Sequence, residues 1–308
     1  MKIIFMGTPE FAVPSLDILI KNRYDVVAVV TSVDSFGGRG GKQQIESAVK
    51  KYAVAHNIPV LQPANLKSPE FISSLKLFEA DIQIVVAFRM LPEIVWNMPP
   101  LGTFNLHGSL LPKYRGAAPI HHAVMNGETE TGVTSFKLKQ EIDTGDILIQ
   151  RALSINETDT TGVVHDKLMI LGAEVVVDTI KMISSGKYNF LKQRDAEATK
   201  APKLFHNICE INFKQEIQKV YNFIRGLSPH PAAWCRIDGR EMKVLWSTKE
   251  PKTDLHPVGH IITENKKLIK IKCQDGYIIF EKIKPEGNKV MSVSDFLNGH
   301  KIVSEMIN

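Results

Sequence analysis

At 308 residues the chain is longer than one hydrophobic core usually organises, roughly 250 to 300 residues, so two domains are expected. With 44% hydrophobic and 23% charged residues, the composition is that of an ordinary globular protein, and no run approaches the roughly eighteen apolar residues of a membrane helix. The net charge of +5 is unevenly spread: from Lys187 onward there are 21 Lys and Arg against 14 Asp and Glu, while residues 1–186 carry 17 against 19.

The first half alternates strand and helix signals. Continuous apolar runs predict strands over 2–6, 26–30 and 81–87, separated by helices over 11–20, 46–56 and 69–78. Val/Ile runs alternating with helices read as a parallel sheet buried on both faces, an α/β fold with a Rossmann-like layout. Residues 131–139 and 146–152 extend that sheet, and 161–184 reads as one long closing helix. A polar, weakly periodic tract over 187–204 reads as a linker. Beyond it, 214–225 predicts a helix, and 233–237 and 241–246 flank Asp238-Gly239, a strong hairpin signal. Strands over 259–263, 268–273 and 277–284 follow, then a short helix over 292–297 with Ser292 and Asp295 at capping-box spacing. Short strands joined by glycine turns point to a small β-barrel.

Met1-Lys2-Ile3-Ile4-Phe5-Met6 is a short apolar run that ends in Gly-Thr-Pro and lacks a cleavage site, so a cytoplasmic location is expected. Cys209, Cys235 and Cys273 have no metal spacing and fit a reducing compartment, and the His121-His122 pair lacks any accompanying ligand motif; no metal site is expected. Met6-Gly7-Thr8-Pro9 follows the first strand without a G-x-G-x-x-G, which argues against a dinucleotide. The run Phe36-Gly37-Gly38-Arg39-Gly40-Gly41-Lys42-Gln43 fails as a phosphate-binding loop because Gln43 stands where Ser or Thr should hold magnesium. It is either a solvated surface loop or a basic finger whose glycines let Arg39 and Lys42 fold onto a nucleic-acid backbone.

The chemistry concentrates around Asn105-Leu106-His107-Gly108-Ser109-Leu110-Leu111-Pro112 and Asp143-Thr144-Gly145-Asp146. Asn105 can donate from a neutral amide, His107 can donate or carry a proton near neutral pH, and Asp143 can hold that imidazole charged or take a proton in turn. Such a trio suits a reaction that builds an oxyanion on a carbonyl while an attacking amine loses a proton. Ser109 has no G-x-S-x-G elbow around it, which argues against a serine nucleophile. Phe104-Asn105-Leu106-His107 alternates apolar and polar, and Gly108 breaks the run, so the polar groups fall at the carboxyl end of a strand, where open α/β sheets bind ligands.

These residues carry a resemblance. Asn105-x-His107-x-Ser109-Leu110-Leu111-Pro112, Arg115-Gly116-Ala117-Ala118-Pro119-Ile120, Thr131-Gly132-Val133-Thr134 and Asp143-Thr144-Gly145-Asp146-Ile147 resemble the signature of the methionyl-tRNA formyltransferase family. The opening Ile4-Phe5-Met6-Gly7-Thr8-Pro9-Glu10-Phe11-Ala12 and the later Asn222-Phe223-Ile224-Arg225-Gly226-Leu227-Ser228-Pro229-His230-Pro231 are similar to that family too, so the likeness spans nearly the whole chain.

The resemblance implies a formyl-transfer domain over 1–186, a linker over 187–204 and a C-terminal OB-like β-barrel over 205–308 that binds tRNA. It implies 10-formyltetrahydrofolate as formyl donor and initiator methionyl-tRNA as acceptor. Asn105, His107 and Asp143 would be catalytic, and Ser109, Leu110, Leu111 and Pro112 would line the folate site. The asparagine, histidine and aspartate are shared with formyltransferases that act on small amines, whereas Arg115 to Ile120 and the C-terminal domain point to tRNA. A small-amine acceptor, a sugar nucleotide or a ribonucleotide, is therefore the alternative, and a nonenzymatic RNA-binding protein on the same fold is a third reading. The basic C-terminal third and the Arg39 and Lys42 loop fit tRNA, and no protein partner is indicated. One departure stands out: Ala87-Phe88-Arg89-Met90-Leu91-Pro92 is one residue shorter than the family pattern and lacks its glycine, which puts the shape of the pterin pocket in question.

Overall fold

The computed structural model describes residues 1–37 and 43–307. Arg39 and Lys42 lie outside the described residues. The chain forms two compact units, the first made of Met1–Gly116, Thr131–Leu153 and His165–Lys200, and the second of Ala117–Glu130, Ser154–Val164 and Ala201–Asn308.

In chain order the elements are β1 (Lys2–Gly7), α1 (Val13–Lys21), β2 (Asp25–Val30), β3 (Ser35–Gly37), β4 (Gln43–Ile45), α2 (Ala48–Ala55) and β5 (Val60–Leu61). Then come α3 (Pro69–Lys76), β6 (Ile82–Val86), α4 (Glu93–Trp96), β7 (Thr103–His107), α5 (Pro119–Met125), β8 (Glu130–Lys137), β9 (Ile147–Ser154) and α6 (Thr161–Ser185). The starts of α2 and α3 are set by serine side chains that satisfy free amide groups. Ser47 Oγ accepts from the amide of Lys50, and Ser68 Oγ accepts from that of Phe71 with Pro69 in the first turn.

The central sheet of the first unit runs β5-β2-β1-β6-β7-β8-β9. The β1, β2, β5, β6 and β7 pairings are parallel, so the chain builds outward from β1 on one side and then crosses to the other. On one face Ile4, Met6, Val30 and Val85 pack with Phe71, Ile72 and Leu75 of α3 and with Leu91 and Val95. Ile3 and Phe5 are wholly buried on the opposite face, each such side chain contributing roughly 1.5–3 kcal/mol. The parallel order ends at β7: β8 is antiparallel to it. A parallel return needs a crossover along a sheet face, and the α5 segment that precedes β8 belongs instead to the second unit.

Residues 187–200, polar and weakly periodic in sequence, pack on the first unit. Phe190 stacks over Phe104 with ring centroids 6.3 Å apart, and Leu191 bridges backbone to Ile147.

The second unit adds α7 (Ile217–Leu227), β10 (Ala233–Ile237), β11 (Arg240–Pro251), β12 (Ile261–Glu264), β13 (Leu268–Lys272), β14 (Gly276–Pro285), β15 (Met291–Ser292) and α8 (Val293–Gly299). Its sheet is antiparallel in the order β10-β11-β14-β13-β12, with β15 on β14, and bulges around Trp246 bend the long β11–β14 ladder. Ile217, Val220, Tyr221, Ile224 and Leu227 form the buried stripe of α7. Arg225 on that helix is buried, and its guanidinium donates to the Asp159 carbonyl at 2.9 Å and the Asn156 carbonyl at 3.2 Å, so the 154–164 segment is tied into this unit. Ser292 Oγ accepts from the Asp295 amide at 3.1 Å, closing the cap that the spacing predicts.

Candidate active site

Period-2 geometry sets the site. Asn105 is in register with Val85, so Thr103, Asn105 and His107 share the α3 face of the sheet, while Phe104 and Leu106 turn the other way, Leu106 against Gly172 of α6. Thr103 is spoken for: its hydroxyl lies 2.9 Å from Gln83 Oε1 and 2.6 Å from the Trp96 carbonyl. Asn105 is half-buried, and among the described residues its amide has no hydrogen-bond partner. His107 is buried at the carboxyl end of β7.

The loop after His107 is fastened at several points. Ser109 is fully buried and its hydroxyl donates to the Lys113 carbonyl at 2.7 Å, so it is not a nucleophile turned toward solvent. Thr134 Oγ1 on β8 donates to the Ser109 carbonyl at 2.6 Å and accepts from the Leu111 amide at 3.1 Å. Leu111 is buried with Phe136 and Ile147, whereas Leu110 and Pro112 stay partly exposed. Tyr114 sits at φ +61, and its carbonyl lies 2.9 Å from His107 Nε2. A carbonyl can only accept, so Nε2 carries a hydrogen, leaving Nδ1 as the other ring nitrogen.

Asp143 reaches Nδ1 from the turn after β8. Its Oδ2 is 3.7 Å from that nitrogen and accepts from the Gly116 amide at 2.9 Å. Asp143 itself adopts φ +55, a left-handed conformation that Asp tolerates better than most residues. Two residues on, Gly145 passes so close to β8 that a Cβ there would stand 1.8 Å from the Lys137 carbonyl oxygen. The structure thus brings Asp143 Oδ2 to 3.7 Å from His107 Nδ1, with Asn105 on the same strand face as His107.

The short turn after β6 closes without a glycine. Ala87 takes φ +48, and the Arg89 guanidinium donates to the carbonyls of Pro63 and Ala64, the latter at 3.0 Å. Leu91 is thereby delivered to the core.

Near the end of β2, Asp34 holds the base of the β3–β4 hairpin. Bonds from Lys50, then from the amides of Gln62 and Gln44, keep its carboxyl down to about 2.

Several participants left no mark in the sequence. The Tyr114 carbonyl and the Gly116 amide are backbone groups, and Gln193 and Thr199, which bond the site's loops, lie in the non-periodic 187–204 tract. The adjacent histidines of α5 bond to carbonyls, His121 to His230 and His122 to Pro202, at 2.9 and 3.0 Å. Among the described residues no group of three or more His, Cys, Asp or Glu could hold a metal, and no helix is long and apolar enough to cross a membrane.

A mixed α/β sheet that presents Asn, His and Asp at a strand end, followed by an antiparallel β unit, defines a class: the chain belongs to the formyl transferase family, whose model matches residues 1–180 and whose C-terminal domain model matches residues 203–301. Within that family it is similar to the methionyl-tRNA formyltransferase of Parabacteroides distasonis, 48% identical over 99% of this chain and 97% of the relative. The enzyme of that name from Bacteroides fragilis is 47% identical over 97% of this chain and 95% of its own. Among solved structures, a sugar 3N-formyl transferase has a TM-score of 0.68 at 22% identity, covering 94% of this chain and 99% of that one; a likeness at that identity shows the fold alone.

Proposed function

We infer that this chain transfers the formyl group of 10-formyltetrahydrofolate to the α-amino group of methionine esterified to initiator tRNA, the reaction that prepares the initiator for translation. The observation that carries the chemistry is the placement of Asn105 and His107 on one face at the end of β7, with Asp143 3.7 Å from His107 Nδ1. Near-full-length identity to methionyl-tRNA formyltransferases supports the acceptor.

The donor set fits a formyl group. An amide without a partner among the described residues and a buried imidazole with one committed nitrogen are what a carbonyl oxygen needs as negative charge grows on it. When bound, the folate supplies an amide-like formyl carbon as electrophile. Asn105 donates from its side-chain amide. His107 acts through Nδ1, because Nε2 gives its hydrogen to the Tyr114 carbonyl, and Nδ1 can donate to the oxyanion only when the ring carries its second proton. Asp143 orients that imidazole and helps pass the proton that the amine loses to the folate nitrogen, which would leave as its bond to the formyl carbon breaks. Leu110 and Pro112 offer apolar surface beside the site, while buried Ser109 and Leu111 hold the loop that presents them. No activated protein nucleophile is required.

We assign the acceptor's phosphate backbone to the basic C-terminal region, 205–308, and to Arg39 and Lys42. Support for the loop comes from its composition, a single arginine among four glycines that cannot build a packed core of its own. Arg39→Ala is expected to raise the tRNA requirement with folate binding intact; unchanged rate and affinity would return the loop to plain surface. We place the reaction in the cytoplasm, where charged tRNA is used.

The test offers purified protein and 10-formyltetrahydrofolate with charged initiator tRNA, charged elongator methionine tRNA and free methionine in parallel. Formylated initiator is expected. Product from free small amines alone would overturn the acceptor and favour the small-amine reading.

A further inference from the structure

The Gln193 side chain uses every bond its amide can make. Nε2 donates to the carbonyl of Asp143 and to that of Gly145, both at 2.8 Å. Oε1 accepts twice from Arg115, from Nε at 3.0 Å and from Nη2 at 2.7 Å. One side chain thus spans the two loops that make the site, the turn bearing Asp143 and the segment leading from Tyr114 to Gly116.

That turn needs an outside hold. Asp143 sits in the left-handed region, which aspartate tolerates better than most residues but which still costs energy that the surroundings must offset. Gly145 presses against β8 from one side, and Gln193 fastens the carbonyls on either side of Thr144. The same segment reaches the other half of the site: the Tyr114 amide donates to Thr199 Oγ1 at 2.8 Å and the Arg115 amide to the Thr199 carbonyl at 2.9 Å, while the Tyr114 carbonyl holds His107.

We propose that Gln193 is a positioning residue for the transfer reaction, clamping the Asp143 turn and Arg115 so that the Asp143 carboxylate faces His107 and the Gly116 amide. The proposal rests on the assignment of His107 and Asp143 made above. Its chemistry is specific to glutamine. A glutamate in its place could still accept from Arg115 but would turn a carboxylate oxygen toward two carbonyl oxygens, and alanine would leave both carbonyls without their donor. Exposed Asp195 also pairs with Arg115, at 2.8 Å, yet among the described residues no bond joins it to the turn.

The test compares full-length Gln193→Ala, Gln193→Glu and Asp195→Ala with wild type, with turnover expressed per folded molecule from thermal melts. A displacement of about 1 Å in a catalytic group is enough to cost up to about a hundred-fold, so kcat is expected to fall at least about tenfold in both Gln193 variants. KM for folate and for tRNA should stay within about twofold, and Asp195→Ala should match wild type. Wild-type kcat in Gln193→Glu, or a fall in melting temperature with normal turnover per folded molecule, overturns the proposal. An equal fall in Asp195→Ala also overturns it, because Arg115 and not the turn would then be what matters. Failure of the wild-type protein to formylate would defeat the functional reading instead; an active wild type matched by its Gln193 variants defeats this inference alone.

Discussion

His107 gives its Nε2 hydrogen to the Tyr114 carbonyl, 2.9 Å away, and this bond turns Nδ1 toward Asp143 Oδ2 at 3.7 Å. The ring is therefore fixed in plane and in tautomer by a backbone group. In the reaction proposed above, any proton that His107 takes up or gives back would move at Nδ1, beside the carboxylate.

Asn105→Ala, His107→Ala and Asp143→Asn are each expected to lower turnover at least about a hundred-fold, the cost of one oxyanion donor or its orienting partner. Asp143→Asn is the cleanest of the three. Asparagine tolerates the positive φ and can still accept from the Gly116 amide, so the fold should hold while the charge is lost. Single-turnover rates beside tRNA binding measurements check this; near wild-type rates at saturation would remove the residue from the mechanism.

Gly226→Ala should destabilise the second unit even though alanine is the better helix former. A Cβ at Gly226 would lie 2.4 Å from Met125 Cγ and 2.7 Å from the Met125 backbone nitrogen, so α5 must shift away from α7. Overpacking of that kind costs about 1–3 kcal/mol and outweighs a propensity gain of about 1 kcal/mol. Urea denaturation reads the balance, and an unfolding midpoint at or above wild type would refute it.

Acid should weaken the second unit through Asp254. Its carboxyl accepts from the Tyr277 hydroxyl at 2.6 Å and pairs with buried Lys272 at 3.2 Å, and these contacts, Tyr277 first, hold it below the usual carboxylate range. A carboxyl whose folded value is depressed stabilises fully above its unfolded value of about 3.9, and the contribution disappears as pH falls through the folded value. Asp254→Asn should therefore melt below wild type above about pH 5, with the gap narrowing below about pH 3. Parallel melting curves across the whole range would exclude this role.

Affinity for tRNA should fall steeply with salt if the basic region from Lys187 onward tracks the phosphate backbone. Each neutralised phosphate adds about −0.7 to −0.9 to the slope of log K against log salt. The full chain is the right material, since α5 and residues 154–164 belong to the second unit and a chain cut near Leu204 would leave them without α7. Binding that is level between about 50 and 200 mM salt would leave the charge asymmetry without a part in recognition.

Local patterns in the sequence by themselves determined the strands at Lys2–Gly7, Asp25–Val30, Ile82–Val86 and Thr103–His107, the long α6, the Asp238-Gly239 hairpin and the Ser292 cap. Alternation alone put Asn105 and His107 on one face, because a side-chain period of two needs only neighbours in the chain. The antiparallel entry of β8, the assignment of α5 and 154–164 to the second unit, and the packing of 187–200 on the first were decided by the tertiary structure. So were the partners of the site: the Tyr114 carbonyl for His107, the Gly116 amide for Asp143 and Gln193 for the turn, the last 50 residues from Asp143 in sequence. Hydrogen bonds across such separations leave no periodic trace. They form only after burial of the sheet's apolar faces has brought the loops together, and their geometry depends on backbone groups that every residue possesses.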